Sequence, residues 1–268
     1  MIQEQVIRRV TPIGNGAHIL APRGWVGDEV VIVRKPKQSA KEKILAVLDS
    51  YLENVAGIYL YGSRARGEEE EDSDIDLFVV TNSPIKIKED GFEIVIVEEN
   101  KVGSAIKFEP LVMYAILSEA RPIINSILLK KLKDKYKPKL NDFREFLEST
   151  KRIIAINKEF LEAEKGEFSQ SHGLAYSIIL RLRGIFIMNQ ILSGKIYYHK
   201  KFRAWIKKHC PLVDYESVYG AYKASKNNSK QFKVKVGDLN KLLIFLKGET
   251  LKLQILYDKK KKTSSKRN

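Results

Sequence analysis

Two aspartates separated by one residue are the strongest candidates for chemistry in this chain. Asp74 and Asp76 begin the segment "DIDLFVV", whose apolar, β-branched and aromatic residues predict a strand. Because side chains alternate along a strand, both carboxylates should project from one face, about 7 Å apart. Two carboxylates side by side repel each other unless a cation lies between them. The pair therefore predicts a Mg²⁺ site.

A glycine and a serine precede these aspartates. Gly62 and Ser63 follow the apolar segment "IYLY" and begin a stretch that is able to form a short helix. Small residues at a helix N-terminus let backbone N–H groups approach a phosphate, and the serine hydroxyl adds a donor. Ten residues separate Ser63 from Asp74, and five consecutive ones are acidic. We predict that Glu68 to Glu71 are solvated rather than ligands, because loop carboxylates share no fixed face.

A third carboxylate lies in the next predicted strand, "FEIVIVEE". Glu93 is flanked there by Phe92 and Ile94, and an acid within an apolar strand requires a reason. With one or two Mg²⁺ ions held by the aspartates, Glu93 could complete the shell of the second ion and activate an incoming hydroxyl. Glu98 or Glu99 would take its place if the strand register differs.

These residues and their spacing together form a recognisable motif. "GSRARG" followed by "SDIDLFVV" resembles the nucleotidyltransferase superfamily of the DNA polymerase β type, and is most similar to the minimal nucleotidyltransferases of prokaryotes. The resemblance covers roughly residues 40–125, and many members carry Asp where this chain has Glu93. The resemblance implies that the nucleotide is bound by Gly62, Ser63 and Arg64. It also implies catalytic and metal-binding residues, which are Asp74, Asp76 and Glu93.

The same resemblance implies a reaction. A Mg²⁺-dependent enzyme of this type moves a nucleoside monophosphate from a nucleoside triphosphate, here expected to be ATP, to an acceptor hydroxyl and releases pyrophosphate. The acceptor stays open between a nucleic acid and a protein. A hypothesis of another class is a nucleic-acid-binding or antitoxin-like protein that keeps the nucleotidyltransferase fold without turnover.

The segments around the motif predict an α+β fold. Residues 37–125 alternate between helical and strand patterns, which indicates a nucleotidyltransferase domain with a small mixed β-sheet. Residues 126–258 show helical patterns only and predict an all-α helical bundle, whose central helix is "SHGLAYSIILRLRGIFIMNQILSG". Residues 259–268 lack core-forming residues and predict a disordered basic tail.

The N-terminal segment, residues 1–36, predicts short strands in hairpins between Gly- and Pro-rich turns. It resembles the AbrB-type DNA-binding half-barrel, which implies a homodimer with basic side chains available for phosphates, namely Arg8, Arg9 and Arg23. An alternative interpretation is a β-hairpin cap docked on the next domain.

Charge is distributed unevenly along the chain. Residues 1–125 hold 15 Lys and Arg against 20 Asp and Glu, whereas residues 126–268 hold 33 against 13. A net charge of +20 over one half suggests a polyanionic partner, and a solvated lysine-coated surface explains it equally well. With a single cysteine, Cys210, and no apolar run of about 20 residues, we expect a cytoplasmic protein without a disulfide or membrane span.

Other motifs in the helical half carry weaker signals. Arg203 and His209 in "RAWIKKH" have the spacing of ribonuclease toxins of the HEPN class, but a basic helix surface with Trp205 packed inward explains them better. Arg181 and Arg183 need partners if they are buried. Three tyrosines at helical spacing are interpreted as core rather than as a base-stacking surface, and these are Tyr215, Tyr219 and Tyr222.

Overall fold

A computed structural model describes residues 6, 8, 10–32, 39–70, 73–169, 171–226 and 233–265, without the side chains of 172, 226 and 260–265. The chain divides into two compact units, Met1–Ser39 and Ala40–Asn268. Each unit is described by itself.

The described residues of the first unit contain one small hairpin, which confirms the predicted N-terminal β-hairpin segment. Strands β1 (Thr11–Ile13) and β2 (Gly16–His18) pair antiparallel, and a 3₁₀ turn follows at Arg23–Trp25. The prediction of several hairpins is wrong for the described residues 19–32, which form no strand. Strands this short bury almost no apolar surface, so nothing favours pairing of the valine-rich segment that follows. Arg9 and the end of the predicted segment lie outside the described residues.

The second unit contains a four-stranded mixed sheet, as predicted. The strand order is β5-β4-β3-β6, with β4 and β5 parallel and the other neighbours antiparallel. The strands are β3 (Val55–Tyr61), β4 (Ile75–Thr81), β5 (Phe92–Glu98) and β6 (Arg121–Ile124). The parallel pairing places the beginnings of β4 and β5 at the same end of the sheet.

Five helices accompany the sheet, and they are α1 (Ala40–Leu48), α2 (Gly62–Arg66), α3 (Val102–Phe108), α4 (Pro110–Glu119) and α5 (Ser126–Lys135). The sequence predicts α3 and α4 as one helix. The structure separates them at Glu109 because Pro110 has no N–H for a continuous helix and favours the first helical position instead.

The rest of the second unit is helical, with α6 (Arg144–Ala163), α7 (His172–Leu192), α8 (His199–His209), α9 (Tyr215–Lys226) and α10 (Val236–Ser265). The prediction of a disordered tail from residue 259 is wrong as far as Ser265, because helix α10 continues to that residue. Lysines are good helix formers, and their charges are favourable near a helix C-terminus.

Helix α7 is the predicted central helix and packs against α4, α6, α9 and α10. The segment Gly173–Leu192 is long and apolar enough to cross a membrane by length and composition, and just over half of its most apolar stretch is buried inside the protein. A buried core helix of a bundle has the same composition, so this finding is weak evidence for a span.

Both faces of the sheet are covered. One face packs on α1 through Ile75, Leu77 and Val79, and the other, with Phe78 and Val80, joins the large core of the helical bundle. Side chains alternate along β4, so Asp76 projects from the face shared with Phe78. The bundle and the sheet therefore share one core, at whose edge Asp76 lies.

Candidate active site

The strand register brings two of the predicted carboxylates together. Asp76 pairs with Tyr61 on β3 and with Glu93 on β5, so Asp76 and Glu93 are direct neighbours on adjacent strands. Asp76 is half-buried, whereas Glu93 and Asp74 are exposed. Glu93 is therefore not the buried acid that its apolar neighbours suggest, because it lies at the open beginning of the edge strand β5.

Gly62 and Asp76 are in direct contact. Gly62 has a φ of 72°, a conformation that favours glycine, and a Cβ atom there would lie 1.7 Å from Oδ2 of Asp76. The backbone N–H of Ser63 donates a hydrogen bond to the Asp76 carboxylate. The two ends of the sequence motif thus meet, and only glycine at position 62 leaves room for the carboxylate.

Negative charge is concentrated at this point. Burial raises the pKa of Asp76 from 3.8 to about 6, and the charge of Glu93 adds to the rise. The hydrogen bond from Ser63 and the positive charge of Arg66 oppose it. Burial and the nearby Glu93 and Asp76 also raise the pKa of Tyr61. A cation would relieve this repulsion.

The donors at the site suit a hard divalent cation. They are all carboxylate oxygens, the ligands that Mg²⁺ prefers, and burial and the charge of Glu93 together make the charged form of Asp76 unfavourable without a cation. Across the described parts of the chain, no three His, Cys, Asp or Glu side chains are grouped closely enough to hold a metal ion. Asp74 or Glu93 would therefore have to turn toward Asp76 to complete a Mg²⁺ site.

Arg64, predicted to bind the nucleotide, donates hydrogen bonds to the backbone in this structure. Its Nη2 donates to the carbonyl oxygen of Ser73 at 2.7 Å, and its Nε donates to that of Asp74 at 3.2 Å. The guanidinium thereby fixes the chain where it enters β4. In this structure Arg64 positions Asp74, and the hydroxyl of Ser63 has no hydrogen-bond partner among the described residues.

Glu119, at the end of α4, is a residue that the sequence analysis missed. Its side chain is only 7% exposed; Oε1 accepts the N–H of Gly62 at 2.9 Å, and Oε2 contacts Nη1 of Arg66 at 2.7 Å. Glu119 therefore holds both ends of α2. The available signal was an acidic residue closing the otherwise apolar helix "PLVMYAILSE".

The prediction that Glu68 is solvated is wrong. Its side chain is 12% exposed, contacts Nε of Arg66 at 3.1 Å, and accepts the backbone N–H groups of His199 and Lys200 at 3.0 and 3.4 Å. Burial acts to raise the pKa of Glu68, but these hydrogen bonds bring it below its ordinary value. The first N–H groups of a helix lack intrahelical partners, so Glu68 caps α8.

The segment formed by residues 62–70 has two further contacts with the helical bundle. Glu70 forms an exposed ion pair with Lys223 of α9 at 2.9 Å. The guanidinium of Arg66 lies 5.2 Å from the ring centre of Tyr197, over which Arg183 of α7 also lies, at 5.1 Å. Arg183 also donates to the hydroxyl of Tyr222 at 3.3 Å. The ring of Tyr197 and the hydroxyl of Tyr222 are therefore the partners of the buried Arg183.

The weaker motifs have structural roles. Arg203 pairs with Glu216, whereas His209 stacks on Phe245 with ring centres 5.0 Å apart, so the two residues have separate surroundings. Trp205 packs against the core, as predicted. Arg181 donates to Ser149 at 3.0 Å. The three tyrosines of α9 stack on one another; Tyr215 and Tyr222 are buried, as predicted for core residues, and Tyr219 is half-buried.

The chain is similar to one family model and to solved structures of known proteins. Residues 41–166 match the family model of the nucleotidyltransferase domain. A spectinomycin adenyltransferase from Enterococcus faecialis, solved with ATP and spectinomycin, is 15% identical with a TM-score of 0.44, over 78% of this chain and 96% of its own. A nucleotidyltransferase-like protein from Exiguobacterium sibiricum 255-15 is 12% identical with a TM-score of 0.35, over 80% of this chain and 75% of its own. No curated protein sequence matches the chain significantly.

Proposed function

We propose that this protein, whose residues 41–166 match the family model of the nucleotidyltransferase domain, transfers a nucleoside monophosphate from a nucleoside triphosphate to an acceptor hydroxyl, with release of pyrophosphate. We propose ATP as the triphosphate. The observation that carries the proposal is the contact between Gly62 and Asp76, which joins the two ends of the motif into one site.

The chain's own residues supply the parts of such a site. The free hydroxyl of Ser63 lies beside Asp76 and would donate to a phosphate oxygen. Glu93 is exposed next to Asp76 and would accept the proton of the acceptor hydroxyl as that oxygen attacks the α-phosphorus. Arg64 and Glu119 do not touch the nucleotide in this account; they position Asp74 and Gly62.

The residues that would hold Mg²⁺ are Asp74, Asp76 and Glu93, in a site for one or two ions. Mg²⁺ supplies positive charge that neutralises both the triphosphate and the carboxylates. Without a cation, the repulsion between Asp76 and Glu93 would oppose the approach of a polyanionic nucleotide.

We propose an anionic acceptor, for which a nucleic acid is the first candidate and a protein hydroxyl the second. Residues 126–268 carry the +20 charge, and the segment formed by residues 62–70 contacts this half through Glu68 and Glu70. An acceptor that reaches Glu93 would thus lie near a strongly basic surface.

Radiolabelled ATP tests the reaction. With Mg²⁺ and either RNA or a protein mixture as acceptor, label at the α-phosphate should become bound to the acceptor, whereas label at the γ-phosphate should leave as pyrophosphate. Asp76→Asn should lower the rate about a thousandfold or more. Asp134→Asn, at an exposed ion pair with Lys137, is the matched control and should keep the rate. The proposal fails if acceptors gain γ-label or if Asp76→Asn transfers α-label normally.

A further inference from the structure

A cavity of about 510 Å³ lies at the end of β4 that is remote from Asp76. Thr81 lines it, five residues beyond Asp76 on the same strand, which corresponds to about 17 Å. Cavities of this size accommodate small organic ligands. This one is separate from the candidate active site, and an inference about it does not depend on the proposed function.

The base of the cavity is apolar and its rim is polar. Leu128 and Leu132 of α5, which are 7% and 5% exposed, line it together with the half-buried ring of Tyr136. Lys131 and Lys135 lie one helical turn apart on the same helix, and both are exposed. A flat apolar body and an anionic group would match these two parts of the cavity.

Several polar groups around the cavity have no protein partner. In the part of the chain that the structure describes, the side chains of Asn82, Asn100 and Lys131 form no hydrogen bond or ion pair, and Glu99 adds a carboxylate at the rim. Polar groups without a protein partner at the rim of a cavity are available to a ligand.

We propose that this cavity binds a small organic phosphate with a flat ring, the chemistry of a nucleoside monophosphate. The ring packs between Leu128, Leu132 and Tyr136, and the phosphate contacts Lys131 and Lys135. Glu99 and the asparagines accept and donate hydrogen bonds to hydroxyl or amino groups on the ligand. The parallel arrangement of β4 and β5 creates the site, because it brings Asn82 and Asn100 to the same edge of the sheet.

Methyl NMR of the full chain in the presence of a chelator tests the proposal with AMP as the probe. AMP should shift the methyl signals of Leu128 and Leu132 with a dissociation constant of about 1 mM or below. The methyl signal of Ala65, in α2, reports separately on the candidate active site. No shift of the leucine signals at about 10 mM AMP, GMP, CMP or UMP overturns the proposal.

Variants of Lys131 and Lys135, with a variant of the neighbouring Lys130 as control, test the phosphate contact. The double variant Lys131→Gln, Lys135→Gln should bind AMP about tenfold more weakly, since each charged hydrogen bond contributes. Lys130→Gln, an exposed lysine of α5 that does not line the cavity, should bind as the wild type does. Equal affinity in the double variant overturns the phosphate contact.

Two further probes separate the parts of the ligand. Inorganic phosphate and adenosine should each bind more weakly than AMP. If inorganic phosphate binds as tightly as AMP, the ring contact is wrong, and if adenosine does, the phosphate contact is wrong.

Discussion

At the scale of single residues, the charged carboxylate of Asp76 should destabilise the folded protein, and the direction of this effect with pH can be tested. Its pKa is about 6 in the folded protein and 3.8 ordinarily, so the folded state binds more protons between these values. Without metal, stability should therefore fall as pH rises from about 4 to 6. Asp76→Asn removes the charge, so at pH 7 it should raise the melting temperature by about 2 °C or more in the presence of a chelator. A lower melting temperature, or an unchanged dependence on pH, would show that the charged carboxylate of Asp76 does not destabilise the folded protein.

Glu93 is the second residue with a distinct expected effect. Glu93→Gln should lower the rate of transfer about a hundredfold or more, because it removes both the proposed general base and a proposed ligand of Mg²⁺. The exposed Glu89, just before β5, provides the control variant Glu89→Gln. A rate that is equal in both variants would exclude Glu93 as the base.

The strand that carries the motif was predictable, whereas the surroundings of the motif residues were not. The alternation along β4 correctly placed Ile75 and Leu77 in a core, with Asp76 on the opposite face. The sequence could not show that Glu93 lies at the exposed beginning of an edge strand, because flanking apolar residues look the same at the end of a strand as at its centre.

At the scale of elements, helix α2 depends on Glu119. Glu119→Gln keeps an acceptor for the N–H of Gly62 but removes the charge that pairs with Arg66, whose side chain is 9% exposed. Loss of one member of a buried ion pair should lower the free energy of unfolding by about 2 kcal/mol or more, measured by urea denaturation. Glu162→Gln, at an exposed pair with Lys158, should change it by less than about 0.5 kcal/mol. Similar small changes in both variants would contradict the role of Glu119.

Element types were predictable from periodicity, but two boundaries were not. The continuous apolar pattern around Pro110 hides the break between α3 and α4, and the polar lysines after Tyr257 hide the continuation of α10. At Pro110 the missing N–H separates the two helices, and after Tyr257 the good helix propensity of lysine extends α10. The hydrophobic pattern determines neither boundary.

At the scale of the whole second unit, the acidic loop connects the sheet to the bundle. Glu68 caps α8 although 131 positions separate it from His199, and no local pattern could predict a contact between residues so far apart in sequence. Glu68→Ala should speed hydrogen exchange at the backbone N–H groups of His199 and Lys200 about tenfold or more. Glu69→Ala is the matched control, since Glu69 is exposed. Unchanged exchange in Glu68→Ala would mean that the contact does not persist in solution.

The contact between Gly62 and Asp76 is the centre of the proposed mechanism, and a second glycine in the same turn provides its control. Gly62 and Gly67 have nearly equal φ angles, 72° and 70°, but a Cβ atom at Gly67 would meet nothing within 4 Å. Alanine should therefore strain the backbone similarly at both positions and displace Asp76 only at Gly62.

The most direct test is the rate of Mg²⁺-dependent transfer of α-labelled nucleotide by Gly62→Ala and Gly67→Ala. We expect Gly62→Ala to lose about a hundredfold or more and Gly67→Ala to stay within about tenfold of the wild type. Equal rates in the two variants would contradict the claim that Gly62 and Asp76 form the site of nucleotidyl transfer.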